Sequence, residues 1–150
     1  MATLSQVAEA IAATLKESEV DIDLFYLKDV KKLSAKDYDF LVFGSPTKFG
    51  TMSFAFKLFL GKVKSEWAGK PFAAFDTENP ENIERSKAEN KEWSAAEKIA
   101  EKLREKKMNQ LLPVLKSLVL DQKGPLVEGE IERAKNYAND LAAKLKEEKA

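Results

Sequence analysis

The chain has 150 residues, with 25 Lys+Arg balanced by 25 Asp+Glu, and neither Cys nor His. That is room for one domain with a sizeable core. The zero formal net charge argues against a nucleic-acid footprint. The missing Cys and His exclude disulfides, thiol catalysis, Cys-ligated zinc and a Ser-His nucleophile pair, so any chemistry points to a borrowed cofactor. No apolar run is long enough to span a membrane, and the N-terminus lacks a signal-peptide pattern. The expectation is a cytoplasmic protein with no membrane or nucleic-acid partner.

In chain order, residues 3–16 place Leu4, Val7, Ala8, Ile11, Ala12 and Leu15 at helical spacings of three and four. Residues 20–27 switch to period two and predict a strand. A short polar helix or turn follows, with Ser34 a candidate N-cap for residues 35–38. Residues 39–44 form a continuous apolar run, the pattern of a strand covered on both faces. Residues 53–64 read as helix, and residues 71–76 as a second buried strand that tolerates Pro71 because it stands first. Residues 77–93 are long, polar and predicted to be irregular. Ser94 then caps a helix over 95–107, with Glu97 at capping-box spacing. A last strand is expected near 114–120, a turn at 122–125, and an amphipathic helix over 130–148. Alternating amphipathic helices and doubly buried strands predict an α/β fold: a three-layer α/β/α sandwich around a parallel sheet with right-handed crossovers, all in one domain.

In such sheets ligands sit beyond the carboxyl ends of the strands. Two post-strand loops are rich in ligand-type groups. One is Gly44-Ser45-Pro46-Thr47-Lys48-Phe49-Gly50-Thr51, and the other begins Asp76-Thr77-Glu78-Asn79. Without further information the first also reads as an ordinary strand-to-helix turn, with Thr51 or Ser53 as N-cap and Phe49 in the core. Asp76 and Glu78 could serve as an acid-base or metal pair, but no His or third ligand accompanies them. Trp67 is expected to pack at a helix end. Trp93 is read either as a cover for a ligand or dimer surface or as a staple at the N′ position of the next helix. Mixed runs such as 84–93 and 144–149 read as solvated faces.

The segment FGSPTKFGTMSFAFKLFL resembles the flavin-embracing segment of flavodoxin-like proteins, especially the branch with NAD(P)H:quinone oxidoreductases. The segments GKPFAAFDT, SAAEKIAEKLREK and GPLVEGEIERAKNYANDLAAKL follow in matching order. The resemblance implies a flavodoxin-type sheet, whose order 2-1-3-4-5 places FMN beside the first and third strands. It implies an FMN-binding electron-transfer or small-acceptor reductase domain. The redox partner would be a protein or a small acceptor such as a quinone, and homo-oligomerisation is left open. The implied cofactor contacts are Ser45, Pro46, Thr47, Lys48, Phe49, Gly50 and Thr51 on one side of the ring and Asp76, Thr77, Glu78 and Asn79 on the other. The alternative is a degenerate flavodoxin-fold protein that acts without cofactor as a binding or scaffold module.

Such a domain opens with an apolar strand and a Thr/Ser-x-Thr-Gly-x-Thr phosphate loop. Here the sequence starts MATLSQVAEAIAATL, with Thr3 where the last loop threonine would stand. The resemblance therefore implies four strands, 2-3-4-5, without the first, and weakened FMN binding. Three arrangements are open: the strand is encoded upstream, residues 20–27 close directly onto 39–44, or a partner chain adds a strand in the gap.

Overall fold

A computed structural model describes residues 2–30, 37–63, 65–91, 93–121 and 124–149. The helices are α1 (Ala2–Glu17), α2 (Phe54–Leu60), α3 (Pro80–Glu89), α4 (Ala95–Glu105) and α5 (Glu130–Lys149). The strands are β1 (Leu41–Pro46), β2 (Pro71–Glu78), β3 (Asn109–Gln110) and β4 (Leu115–Leu118). Strand β2 pairs in parallel with β1 along one edge and with both β3 and β4 along the other. The result is the expected four-stranded parallel sheet between two helical layers.

The period of β2 divides the core. Phe72 and Ala74 face one side with Phe43, Phe56, Trp67, Ile99 and Leu103, under α2 and α4. Ala73 and Phe75 face the other side with Val7, Ile11, Leu15, Ala138 and Leu141, under α1 and α5. Trp67 stacks on Phe43 with ring centroids 6.2 Å apart, and Phe56 meets the same ring edge-on at 6.1 Å. Ala95, Ala96 and Ala100 on the inner face of α4 are buried and let that helix lie close to the sheet.

The caps follow local chemistry. The Ser53 hydroxyl accepts the Phe56 N–H at 3.3 Å, and the Ser94 hydroxyl accepts the Glu97 N–H at 3.3 Å. The 77–93 stretch is not irregular throughout, since it contains α3. Asn79 caps that helix by accepting the Glu81 N–H at 3.0 Å, Pro80 opens it, and Asn90 closes it at φ 51°.

Two expected strands need correction. Residues 20–27 form no strand; residues 21–26 are irregular and lead into a 3₁₀ turn at Leu27–Asp29. Their alternation is real, for Val20 and Ile22 pack on the α1/α5 core. A strand also needs a backbone partner, however, and among the described residues β1 is paired only with β2. The expected strand near 114–120 is Leu115–Leu118, and its line along β2 starts earlier, at β3. Between them stands Pro113, which has no N–H to give the ladder. The fourth strand of the sheet thus comes from this interrupted edge rather than from 20–27. The turn expected after Ser34, and residues 122 and 123 of the later turn, lie outside the described residues.

No helix among the described residues is long and apolar enough to cross a membrane.

Candidate functional site

The parallel register sets Ser45 beside Asp76 and Pro46 beside Thr77, so both polar loops leave the sheet at the same end. The Thr47 N–H donates to the Thr77 carbonyl at 2.8 Å, which carries the pairing one residue past β1. The chain then reverses in a tight turn. The Lys48 N–H donates to the Thr51 carbonyl at 2.8 Å and the Thr51 N–H returns to Lys48 at 3.0 Å. The two residues between them, Phe49 and Gly50, have φ of 51° and 77°. Gly50 suits that conformation, whereas Phe49 is strained in it. A Cβ on Gly50 would also collide with the ring of Trp93.

Trp93 therefore packs on the turn. Two cations also lie over its ring, the Arg85 guanidinium 4.5 Å and the Lys91 ammonium 5.7 Å from the ring centroid. Its indole N–H is buried and has no acceptor. Phe49 does the opposite of a core aromatic and stands 96% exposed at the tip of the turn. Phe54 and Leu58, one helical turn apart on α2, are exposed as well.

Several of the hydroxyls singled out in the sequence are engaged within the fold. Ser45 donates to the Pro46 carbonyl at 2.9 Å and accepts the Ser53 N–H at 3.0 Å. Thr47 donates to Asp76 Oδ2 at 3.1 Å and accepts the Ala95 N–H at 3.0 Å. Asp76 is fully buried, and the same Oδ2 accepts from the Ser94 hydroxyl at 2.7 Å and the Ala96 N–H at 3.0 Å. A carboxylate at the start of α4 is favoured by the helix dipole and satisfies otherwise unpaired amides. This link between β2 and α4 was not read from the sequence, although the Ser94 cap that takes part in it was.

Glu78 lies two residues along on the same face of β2 and is also buried. Burial first, then hydrogen bonding to Asp76 and the Asp76 charge, push its carboxyl up to about 9 against the opposing effects of Lys116 and Ser94. Asp76 Oδ1 and Glu78 Oε2 find no other donor. A protonated Glu78 donating to Asp76 accounts for both facts, because two adjacent buried carboxylates cannot both stay ionised. Among the described residues no group of three or more candidate ligands could hold a metal ion.

The remaining predicted residues are spread around this end of the sheet. Lys48 is exposed, Pro46 and Thr51 are half-buried, and Thr77 is buried. The side chain of Asn79 is committed to the α3 cap through its oxygen. Thr3 is buried at the start of α1, in the other layer, where its methyl group meets Gly124. Its neighbours Leu4 and Ser5 line the same cavity as Ser45 and Pro46.

The parallel α/β sandwich thus carries its two polar loops at the carboxyl ends of adjacent strands. Residues 3–118 match the family described as Flavodoxin domain, and the chain belongs to that family. Among solved structures, the chain is similar to a flavodoxin from the domain Archaea, with 27% identity, a TM-score of 0.75, and coverage of 96% of this chain and 91% of that one. It is also similar to Flavodoxin 1 from Bacillus cereus, at 19% identity and TM-score 0.71, covering 92% of this chain and 88% of that one. A flavodoxin, WrbA-like protein from Agrobacterium tumefaciens aligns at 18% identity and TM-score 0.68, covering 93% and 87% of the two chains. At these identities the latter two speak to the fold. No curated protein matches the chain.

Proposed function

We propose that this chain is a flavin-binding electron-transfer or small-acceptor reductase domain, with the ring held at loops 45–51 and 76–79. The observation that carries the proposal is the turn at Lys48 to Thr51. It spends backbone strain to hold a large aromatic, Phe49, out of the core and 96% exposed beside the carboxyl ends of two parallel strands. An exposed aromatic held in a strained conformation at such a place is explained by something that covers it.

The residues present fit the ring of a flavin. Phe49 supplies an apolar wall. The N–H groups of Phe49 and Gly50 have no acceptor among the described hydrogen bonds and suit the polar edge of the ring. The Asn79 amide nitrogen is free to donate, since only the oxygen of that side chain is used in the cap. Ser45, Thr47, Asp76 and Thr77 hold these loops in place from below, and Trp93 backs the turn. When bound, FMN supplies reversible electron transfer; the chain contributes position, a dry apolar face and fixed backbone dipoles. The electron acceptor is a redox protein or a small molecule such as a quinone.

Thr3 is buried at the start of α1, and a helix N-terminus favours an anion such as the FMN phosphate. Titration by flavin fluorescence quenching tests this reading. FMN and riboflavin are both expected to bind, and a Phe49→Ser variant is expected to lose binding of both. Absence of quenching by either flavin would overturn the proposal.

A second reading is a flavodoxin-fold protein without cofactor that serves as a binding module. It is favoured by the closed state of the loops, in which Ser45, Thr47 and Asp76 bond internally and Trp93 lies against Gly50.

A further inference from the structure

A groove of about 640 Å³ runs between α2 and α4. Its floor is apolar, with Met52 and Leu60 both buried. Its sides are cationic. Lys57 enters from α2, and Lys98, Lys102 and Lys106 enter from the α4 side. Those last three recur every fourth residue and form one stripe, about 12 Å long at 1.5 Å per residue. Glu101 and Glu105 also line the groove and balance only part of this charge. Glu105 pairs with Lys102 at 3.6 Å, and Lys106 donates to the Val63 carbonyl at 3.3 Å. Lys57 and Lys98 have no ion-pair partner among the described residues. Residues 50–63 contain no Asp or Glu that could supply one from the α2 side.

An apolar edge accompanies the lysines. Phe54 and Leu58 are 73% and 56% exposed and stand beside Lys57 on α2, four residues apart. Cations and large apolar groups thus run side by side, both with the four-residue period of a helix face. The chain as a whole has no net charge, so the local excess is a matter of placement. The complement of such a surface is a helix with the same period, carrying carboxylates along one stripe and apolar side chains along the next. A small anion would satisfy the lysines and leave Phe54 and Leu58 in water. A purely apolar partner would strip water from Lys57 and Lys98 without pairing them.

We propose that the groove between α2 and α4 docks an acidic amphipathic helix of a partner protein. Asp or Glu side chains spaced i, i+4 and i+8 meet the stripe of Lys98, Lys102 and Lys106, with Lys57 closing on them from the other side. Leu, Met or Phe side chains on the adjacent stripe cover Phe54 and Leu58. The charges steer the encounter and fix its register, and the apolar contacts slow release. The inference does not depend on flavin binding.

The test uses the whole 150-residue chain and a synthetic helical peptide with glutamate at every fourth position and leucines along the neighbouring stripe. Fluorescence anisotropy of the labelled peptide is expected to show binding that weakens as salt is raised. The amides of Lys57, Gly61, Lys98 and Lys102 are expected to shift. A Lys57→Glu/Lys98→Glu variant should bind at least about tenfold more weakly. The same variant should prefer a peptide whose glutamates are replaced by lysines. Phe54→Ser with Leu58→Ser should also weaken binding at least about tenfold, without lowering the urea midpoint. A peptide of the same composition in scrambled order should bind at least about tenfold more weakly than the designed one. No binding, or equal binding of the scrambled peptide, overturns the proposal. So do shifts confined to residues 48–51 and Trp93, self-association of the chain through Phe54 and Leu58, or occupation of the same lysines by inorganic phosphate as tightly as by the peptide.

Discussion

The Ser94 hydroxyl donates to Asp76 Oδ2 at 2.7 Å while its own oxygen caps α4 by accepting the Glu97 N–H. One serine thus ties the end of the central strand to the start of a helix. Asp76→Ala would leave the Ser94 and Thr47 hydroxyls and the Ala96 amide without their shared acceptor. We expect a loss of about 2–4 kcal/mol in urea unfolding. Asp76→Asn, which keeps an oxygen in place, should cost less than the alanine variant.

Glu78 gives the fold a dependence on pH. Its carboxyl is raised from 4.5 to about 9 by burial first and by Asp76 second. The folded chain therefore retains a proton that the unfolded chain releases near 4.5. The stabilisation is fully present below that pH, declines as pH rises, and is lost as pH passes about 9. For a single proton the slope does not exceed about 1.4 kcal/mol per pH unit. Urea midpoints between these limits should fall with pH in the parent chain and fall less in Glu78→Gln. Equal slopes in the two proteins would count against the shared proton.

Gly44 lies beneath the ring of Phe75, and a Cβ there would overlap the ring. Gly44→Ala is expected to cost about 1–3 kcal/mol by overpacking. Phe75→Leu in the same chain should recover part of that loss, so the two changes are non-additive in a double-mutant cycle. Additive losses would place the strain elsewhere.

Phe49 offers a separation of binding from stability. Because its side chain is almost wholly exposed, Phe49→Ser should change unfolding free energy by no more than about 0.5 kcal/mol. Flavin affinity should nonetheless drop by about tenfold or more. A variant that is destabilised and binds as before would reverse the assignment of this residue.

Much of this architecture was legible in local chemistry. The Ser53 and Ser94 caps, the two doubly buried strands and the stripe of α5 all rest on near-neighbour patterns. α3 was missed although Asn79 and Pro80 signal its start, because it buries no residue and so shows no apolar stripe. Residues 20–27 carry the alternation of a strand, but pairing depends on what lies beside them in space. For the site, the position of the loops followed from the parallel sheet. The use of Thr47 did not, since its hydroxyl meets an amide 48 residues away. Trp93 was noticed in the sequence, while its contact with Gly50 required the packed structure.

The arrangement of strands around β2 also governs how the sheet can assemble. Every ladder runs through β2, and its partners are remote in sequence, 41–46 on one side and 109–118 on the other. Among the described residues no hairpin joins two strands of this sheet, so sheet formation waits on closure of long loops and on the helices that cross between strands. β2 is then the hub of cooperativity. Its amides from Ala73 to Thr77 should exchange with solvent only through global unfolding, whereas those of α3, with no buried side chain, should exchange through local opening.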